Sequence, residues 1–394
     1  MRPKQFALLA AAVFVCTMAG VSVRAQCPAS PFAVDLRAPI KIIFSTQSNL
    51  LVAEGGTGPN TGRISILDSG TGDRRTLLDG LPSGLAPPGG EPIGPTGLFM
   101  RGRTLYVNIG EGDATLRGPA QGTNVPNPNP SSPIFSSVLA IHFSAHVEET
   151  TSGLTLIMAD HFALKNGFQV DLDDGAGDKL TVSLVTDFPD YVSAPRPNVP
   201  NAVRPSNPFG LVAVEEQLYV VDAGMNIVRR VDLETGDSST LTTFANLPNT
   251  RGFGPPTVEA VPDSIRLFDE GLLVTLLSGA PFPLGQAQVR TVDLAGAHAP
   301  FITGLTTAID VLPVKSQGGA SQFLTLEHSL DLVARLPGRI QLFVSPETTP
   351  IVIADCLQRP TSMALGKKTG DLFVTEIFTG QVVKIDVTEF FSEF

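Results

Sequence analysis

Along most of the chain, aliphatic residues alternate with polar ones over runs of five or six positions, and Gly, Asn, Asp and Pro separate the runs. A period of two is the mark of a half-buried β-strand, and the separators supply the turns. The runs are ordered. A short motif of Pro, any residue, a small or polar residue and an aliphatic recurs as Pro39-Ile40-Lys41-Ile42, Pro95-Thr96-Gly97-Leu98, Pro208-Phe209-Gly210-Leu211, Pro262-Asp263-Ser264-Ile265 and Pro360-Thr361-Ser362-Met363. A degenerate copy stands at Ala308-Ile309-Asp310-Val311. Each is followed by a second run: LLVAE (50–54), LYVNI (105–109), LYVVD (218–222), LLVTL (272–276), FLTLE (323–327) and LFVTE (372–376). Third runs are clearest as RISIL (63–67), VLAIHF (138–143), VRRVDL (228–233), VRTVDL (289–294) and VVKIDV (382–387). Fourth runs such as RRTLLDGLP (74–82) and SSTLTTFANLP (238–248) end in Leu-Pro turns.

Each repeat therefore predicts a four-stranded antiparallel sheet of about 50 residues. One such sheet cannot cover both of its faces, and a ring of face-packed sheets removes the difficulty. The expectation is an all-β, six-bladed β-propeller. The last repeat shows three strands, and the strand-like segment Phe32-Ala33-Val34-Asp35-Leu36 can supply its outer strand, closing the ring with the chain's start. The motifs begin at 39, 95, 208, 262, 308 and 360, so one interval, 113 residues, is twice the others. Strand-like stretches at 154–160, 168–171 and 180–186 fall inside it without a preceding motif. A seventh blade is thus the alternative to six blades with an inserted hairpin and loop at 162–206. Segments 118–133 and 189–208, rich in Pro, Asn, Ser and Gly, read as long loops.

Residues 1–25 read as an export signal. Arg2 and Lys4 precede an apolar stretch from Phe6 to Val23, and Val23-Arg24-Ala25 offers small residues for cleavage after Ala25. The alternative is an uncleaved anchor. Residues 26–394 form the single propeller domain, secreted or periplasmic, with no later run long enough to span a membrane. Cys16 leaves with the signal. Cys27 and Cys356 then remain as a pair in an oxidising compartment, and a disulfide between them would contribute about 4–5 kcal/mol; two free thiols are the alternative. The formal net charge of −11 disfavours nucleic acid and anionic membranes as partners.

The segments Asn207-Pro208-Phe209-Gly210-Leu211, Leu218-Tyr219-Val220-Val221-Asp222-Ala223-Gly224 and Val228-Arg229-Arg230-Val231-Asp232 resemble the ScyD/ScyE family of exported bacterial propellers, which carry repeats of NHL type. Residues 92–98, Leu105-Tyr106-Val107 and Leu51-Val52-Ala53-Glu54-Gly55-Gly56 are similar to that family's first two blades. The resemblance implies a secreted binding or scaffold protein, from a family named for its association with an extracellular sunscreen pigment. The hairpin near 168–186 departs from the shorter connection usual there.

No nucleophile elbow, zinc-binding H-E-x-x-H or phosphate-binding loop is present. The Gly-rich run 55–62 links two strands, where a phosphate cradle needs a helix start. His142, His146, His161, His298 and His328 share no ligand spacing and are expected at surfaces or edges. Asp171-x-Asp173-Asp174-Gly175 resembles a calcium loop but lacks its third alternating ligand and closing Glu, so it reads as a hairpin turn. Glu54, Asp222, Glu327 and Glu376 end equivalent strands and are expected to accept N–H bonds from the turn that follows.

The inner strands place Lys41, Thr96, Asn207, Asp263, Asp310 and Thr361 near the mouth of the central channel, the expected binding site for a small molecule or a protein. No cofactor and no intrinsic catalysis are expected. The alternative is a calcium-dependent lactonase or esterase of gluconolactonase and paraoxonase type, with Asn207, Asp263 and Asp310 on Ca2+. Against it stands Lys41, a cation where that family has an acidic ligand. Sugar recognition finds little support, since there is no Trp and there are three Tyr.

Overall fold

The computed structural model describes residues 27–391 except 88, 176, 178, 317, 367 and 368. The export signal read at 1–25 lies outside the described residues. Six sheets of four or five strands surround a common axis, each with one motif-bearing strand innermost. These inner strands are Pro39–Phe44, Pro95–Arg101, Pro208–Val214, Pro262–Phe268, Ala308–Lys315 and Pro360–Leu365. Each touches the next, and the last touches the first, so the ring is closed. The strand pairing is that of a β-propeller, with blades 1 to 6 in chain order.

The recurring motif is a β-bulge. In all six blades the pairing between first and second strands slips just after the initial Pro or Ala, as between Pro39 and Lys41 or between Pro262 and Ile265. Pro lacks the N–H that a regular ladder would use, and a bulge tolerates its absence. The small third residue is required by neighbouring backbone. A Cβ on Gly97 would stand 2.0 Å from the Phe209 carbonyl oxygen, and one on Gly210 would stand 2.7 Å from that of Asp263. Blades 2, 3 and 4 therefore pack backbone to backbone at the axis.

Four acids anchor blades at the end of the second strand, but through different partners from those expected. Glu54 accepts the backbone N–H of Arg37 at 2.5 Å, Asp222 that of Asn207 at 2.9 Å, Glu327 that of Thr306 and Glu376 that of Gln358, both at 2.6 Å. These donors lie in the linker that enters the blade, ahead of its inner strand. Arg63, Arg229 and Arg339, on third strands, pair with the first three acids. The turn that follows contributes at Asp222, through Met225 N–H at 3.1 Å, and at Glu376, through Thr379 Oγ1 at 3.1 Å. Buried carboxylates need such partners, and here they fix how the chain enters each blade.

The N-terminal strand closes blade 6. Ser30–Ala33 lies antiparallel to Gln381–Asp386, with Ser30 opposite Lys384 and Ala33 opposite Val382. The strand sits slightly earlier than the sequence suggests, because Asp35 at φ 61° turns the chain, and Leu36 N–H then bonds the Gly380 carbonyl at 2.9 Å. Cys27 is disulfide-bonded to Cys356, on the outer strand Ile351–Leu357 of blade 5. Phe residues fill the inter-blade gaps: Phe373 meets Phe32 and Phe44 edge-on, and Phe268, Phe301 and Phe323 form a mutual cluster between blades 4 and 5.

Two expectations about the long interval are revised. The hairpin read as an insertion belongs to blade 2, whose inner four strands end with Lys179–Asp187 paired to Ser137–Phe143, and Val170–Asp173 forms a fifth. The inserted element lies before it. It contains helix α1 (Ala145–Thr150), the short strand Leu154–Thr155, which extends the edge of blade 1 in parallel, and helix α2 (Met158–Lys165). The segment 154–160 is thus part strand and part helix. The two presumed loops also pair with each other: Thr115–Arg117, Asn124–Pro126, Val203–Pro205 and Tyr191–Ser193 make a small satellite sheet.

Candidate functional site: the axial channel

Equivalent positions two residues into each inner strand are Lys41, Gly97, Gly210, Ser264, Asp310 and Ser362. With two glycines and two serines among the six, room remains for one long side chain, and Lys41 crosses it towards Asp310. Asp310 is fully buried and collects donors from four blades. Arg266 of blade 4 donates from Nε at 3.1 Å and from Nη2 at 2.6 Å, and Ser264 Oγ from the same strand donates as well. Blade 6 supplies Ser362 Oγ at 3.0 Å and Met363 N–H at 3.1 Å, and Asp310's own strand supplies Val311 N–H at 2.9 Å. Lys41 Nζ, from blade 1, lies 3.5 Å from Oδ2.

The electrostatics follow from this crowding. Burial opposes the charge of Asp310, but the Arg266 guanidinium and the Lys41 ammonium outweigh it and hold the carboxyl well below the usual carboxylate range. Burial, aided by Arg266 and opposed by Asp310, brings Lys41 down to about 8. Asp263, 5% exposed, makes no side-chain hydrogen bond among the described residues. Burial pushes it up to about 8, against the pull of nearby Lys41 and with the repulsion of Asp310. At neutral pH Asp263 is therefore a neutral acid beside a charged lysine.

The other expected site residues lie elsewhere. Thr96 spends its hydroxyl on the Pro208 carbonyl at 2.7 Å, linking blades 2 and 3. Thr361 donates to the Pro39 carbonyl at 3.1 Å, linking blades 6 and 1. Asn207 holds Glu111 N–H at 3.1 Å through its side-chain oxygen. Asn207, Asp263 and Asp310 are thus not a common ligand set: Asn207 binds a loop, and the Asp310 oxygens are occupied by cationic and hydroxyl donors. Among the described residues no group of three or more His, Cys, Asp and Glu is placed to hold a metal ion. The Asp171–Asp173 turn is an ordinary hairpin, with Thr181 Oγ1 on Asp171 at 2.6 Å and Lys179 on Asp173 at 3.0 Å.

One histidine expected at an edge, His161, is interior, and a second, His328, is half-buried. His161 on α2 is fully buried, with Nε2 2.9 Å from the Gly80 carbonyl and Nδ1 3.1 Å from Ser132 Oγ. Burial pushes His328 down to about 4, and its Nδ1 lies 2.9 Å from the Pro360 carbonyl. Both are neutral tethers between segments distant in sequence.

Below the charged cluster the channel widens into a cavity of about 290 Å³, lined by Lys41 and Arg266 among apolar residues including Ile43, Phe99, Val212 and Leu312. These residues lie towards the C-terminal ends of the inner strands. The cavity therefore opens on the face of the short first-to-second-strand turns, opposite the long connections at 82–94, 110–136 and 188–207. Sequence reading centred on the beginnings of the inner strands and missed this pocket. The available signal was Arg266, a cation set between the aliphatics Ile265 and Leu267 of an inner strand.

No protein-family profile and no curated protein sequence matches the chain. Similar solved folds include a streptogramin B lyase, at 13% identity and TM-score 0.45 over 90% of this chain and 96% of that one. A chain of a nidogen/laminin complex matches at 11% and 0.44 over 84% of this chain and 88% of that one. A Trypanosoma rangeli sialidase matches at 9% and 0.47 over 92% of this chain and 57% of that one. At these identities the likenesses concern the fold alone.

Proposed function

We propose that the chain is an exported propeller that binds a small molecule or a protein and catalyses no reaction of its own, in keeping with its resemblance to the ScyD/ScyE family. The observation that carries this reading is the state of Asp310. A metal-dependent lactonase needs carboxylate lone pairs free for the cation, whereas those of Asp310 face Arg266, Lys41, Ser264, Ser362 and a backbone N–H. Two cations at that depth would also repel a third. The test combines metal analysis of protein purified without chelator with a lactone hydrolysis assay. Substoichiometric Ca2+ and no hydrolysis above background are expected; stoichiometric Ca2+ with turnover lost in Asp263→Ala would establish the lactonase instead. Export is tested by fractionation and N-terminal sequencing, with a mature chain starting at Gln26 expected.

A further inference from the structure

The axial cavity carries a charge imbalance that the fold does not resolve. Arg266 and Lys41 bring two positive charges to its closed end, and Asp310 brings one negative charge. Asp263, held neutral near pH 7, adds none. Arg266 is engaged by Asp310 in two bonds and by the Met363 carbonyl in a third, at 3.0 Å. Lys41 is different. Its side chain is 8% exposed, its ammonium carries three donors, and its contact with Asp310 is a 3.5 Å approach. An unmatched buried cation is costly, and the cost is relieved when an anion reaches it.

We propose that this cavity binds a small amphipathic organic anion, its carboxylate against Lys41 Nζ and its hydrocarbon body between Ile43, Phe99, Met100, Leu312 and Pro313. The walls are suited to that body: Ile43, Phe99, Met100, Leu312 and Pro313 are each partly exposed, while Leu267 at the rim is 44% exposed and marks the way in. Size narrows the class. A space of about 290 Å³ lies at the lower end of the range usual for small-ligand pockets, and octanoate is the probe chosen for it. The proposal rests on the reading of the protein as a binding module and names the chemistry of its ligand.

The test is isothermal titration of the whole mature protein with sodium octanoate, octan-1-ol and octylammonium chloride. Octanoate is expected to bind one to one, at least about tenfold tighter than the alcohol, the ratio of one charge-assisted hydrogen bond, with octylammonium weakest. Lys41→Met should erase the preference for octanoate over the alcohol while leaving the Arg266–Asp310 pair, and hence the fold, in place. Leu312→Trp, which fills the cavity from a partly exposed wall position and leaves Lys41 untouched, should abolish binding of both. Octanoate affinity should also fall between pH 7 and pH 9, because Lys41 loses its proton and Asp263 gains a charge, while Arg266 and Asp310 keep theirs. No saturable octanoate binding, a preference for octylammonium, or an undiminished preference in Lys41→Met would overturn the proposal. Such a failure with lactone hydrolysis still absent removes this ligand class alone, whereas hydrolysis would remove the binding-module reading itself.

Discussion

Replacing Asp263 by Asn should make the protein more stable at neutral pH, although the residue is buried at the centre of the ring. An ordinary carboxyl titrates near 3.8, and burial moves that of Asp263 to about 8. At pH 7 the unfolded chain has released this proton and the folded chain has kept it. The folded state therefore binds more protons, and stability falls as pH rises from about 4 towards 8. At 1.36 kcal/mol per unit, the roughly three units between the ordinary value and pH 7 correspond to about 4 kcal/mol of destabilisation by this side chain. Asn keeps the volume and removes the titration. Urea unfolding followed by far-UV circular dichroism, which needs no Trp, should show Asp263→Asn more stable by about 3–4 kcal/mol at pH 7 and by less than about 1 kcal/mol at pH 4. Equal stabilities at pH 7, or the same gain at both pH values, would refute the account of a neutral acid forced into the axis. A group kept at such a cost is what a site tuned for binding is expected to contain.

Asp310→Ala should cost about 3–5 kcal/mol in the same assay, since Lys41 and Arg266 lose their counter-charge; adding Arg266→Leu should recover part of that loss. The Cys27→Ser, Cys356→Ser pair, opening a bridge across 329 residues, should lose up to about 6 kcal/mol in the chain-entropy picture, seen as a lower thermal midpoint matched by reduced wild type. Gly97→Ala places a methyl against the Phe209 carbonyl and should destabilise by about 1–3 kcal/mol, with a lower midpoint despite the better β-propensity of Ala.

The ring was legible because its signals are local. A Pro that begins five of the six inner strands, an alternating second strand and turn residues between them sit within a few positions of one another, and six copies of the unit reinforce the pattern. Closure by the chain's start and the Cys27–Cys356 pairing followed from that geometry. The axial site was legible only as a set of names. Asp263 and Asp310 were singled out, yet what decides their chemistry is the set of donors from blades 1, 4 and 6, which ring registration brings together. Nothing near Asp310 in sequence announces Arg266, 44 positions earlier. The satellite sheet was hidden for a similar reason: Asn124 meets Val203 through a single bridging pair, too little to impose alternation on either segment. His161 looked like an edge residue because its cover, Gly80 and Ser132, comes from the outer strand of blade 1 and from a long connection of blade 2.

The clasp between the first strand and the last has a consequence for biosynthesis. Ser30 finds its partner Lys384 only after 354 further residues have been made, so the earliest strand must wait, unpaired, until the final blade is available. Blades 1 to 5 can each collapse as they emerge, but their circle stays ajar until the end. An incomplete chain is therefore an open arc with an unsealed seam, readily distinguished by proteases from the finished ring.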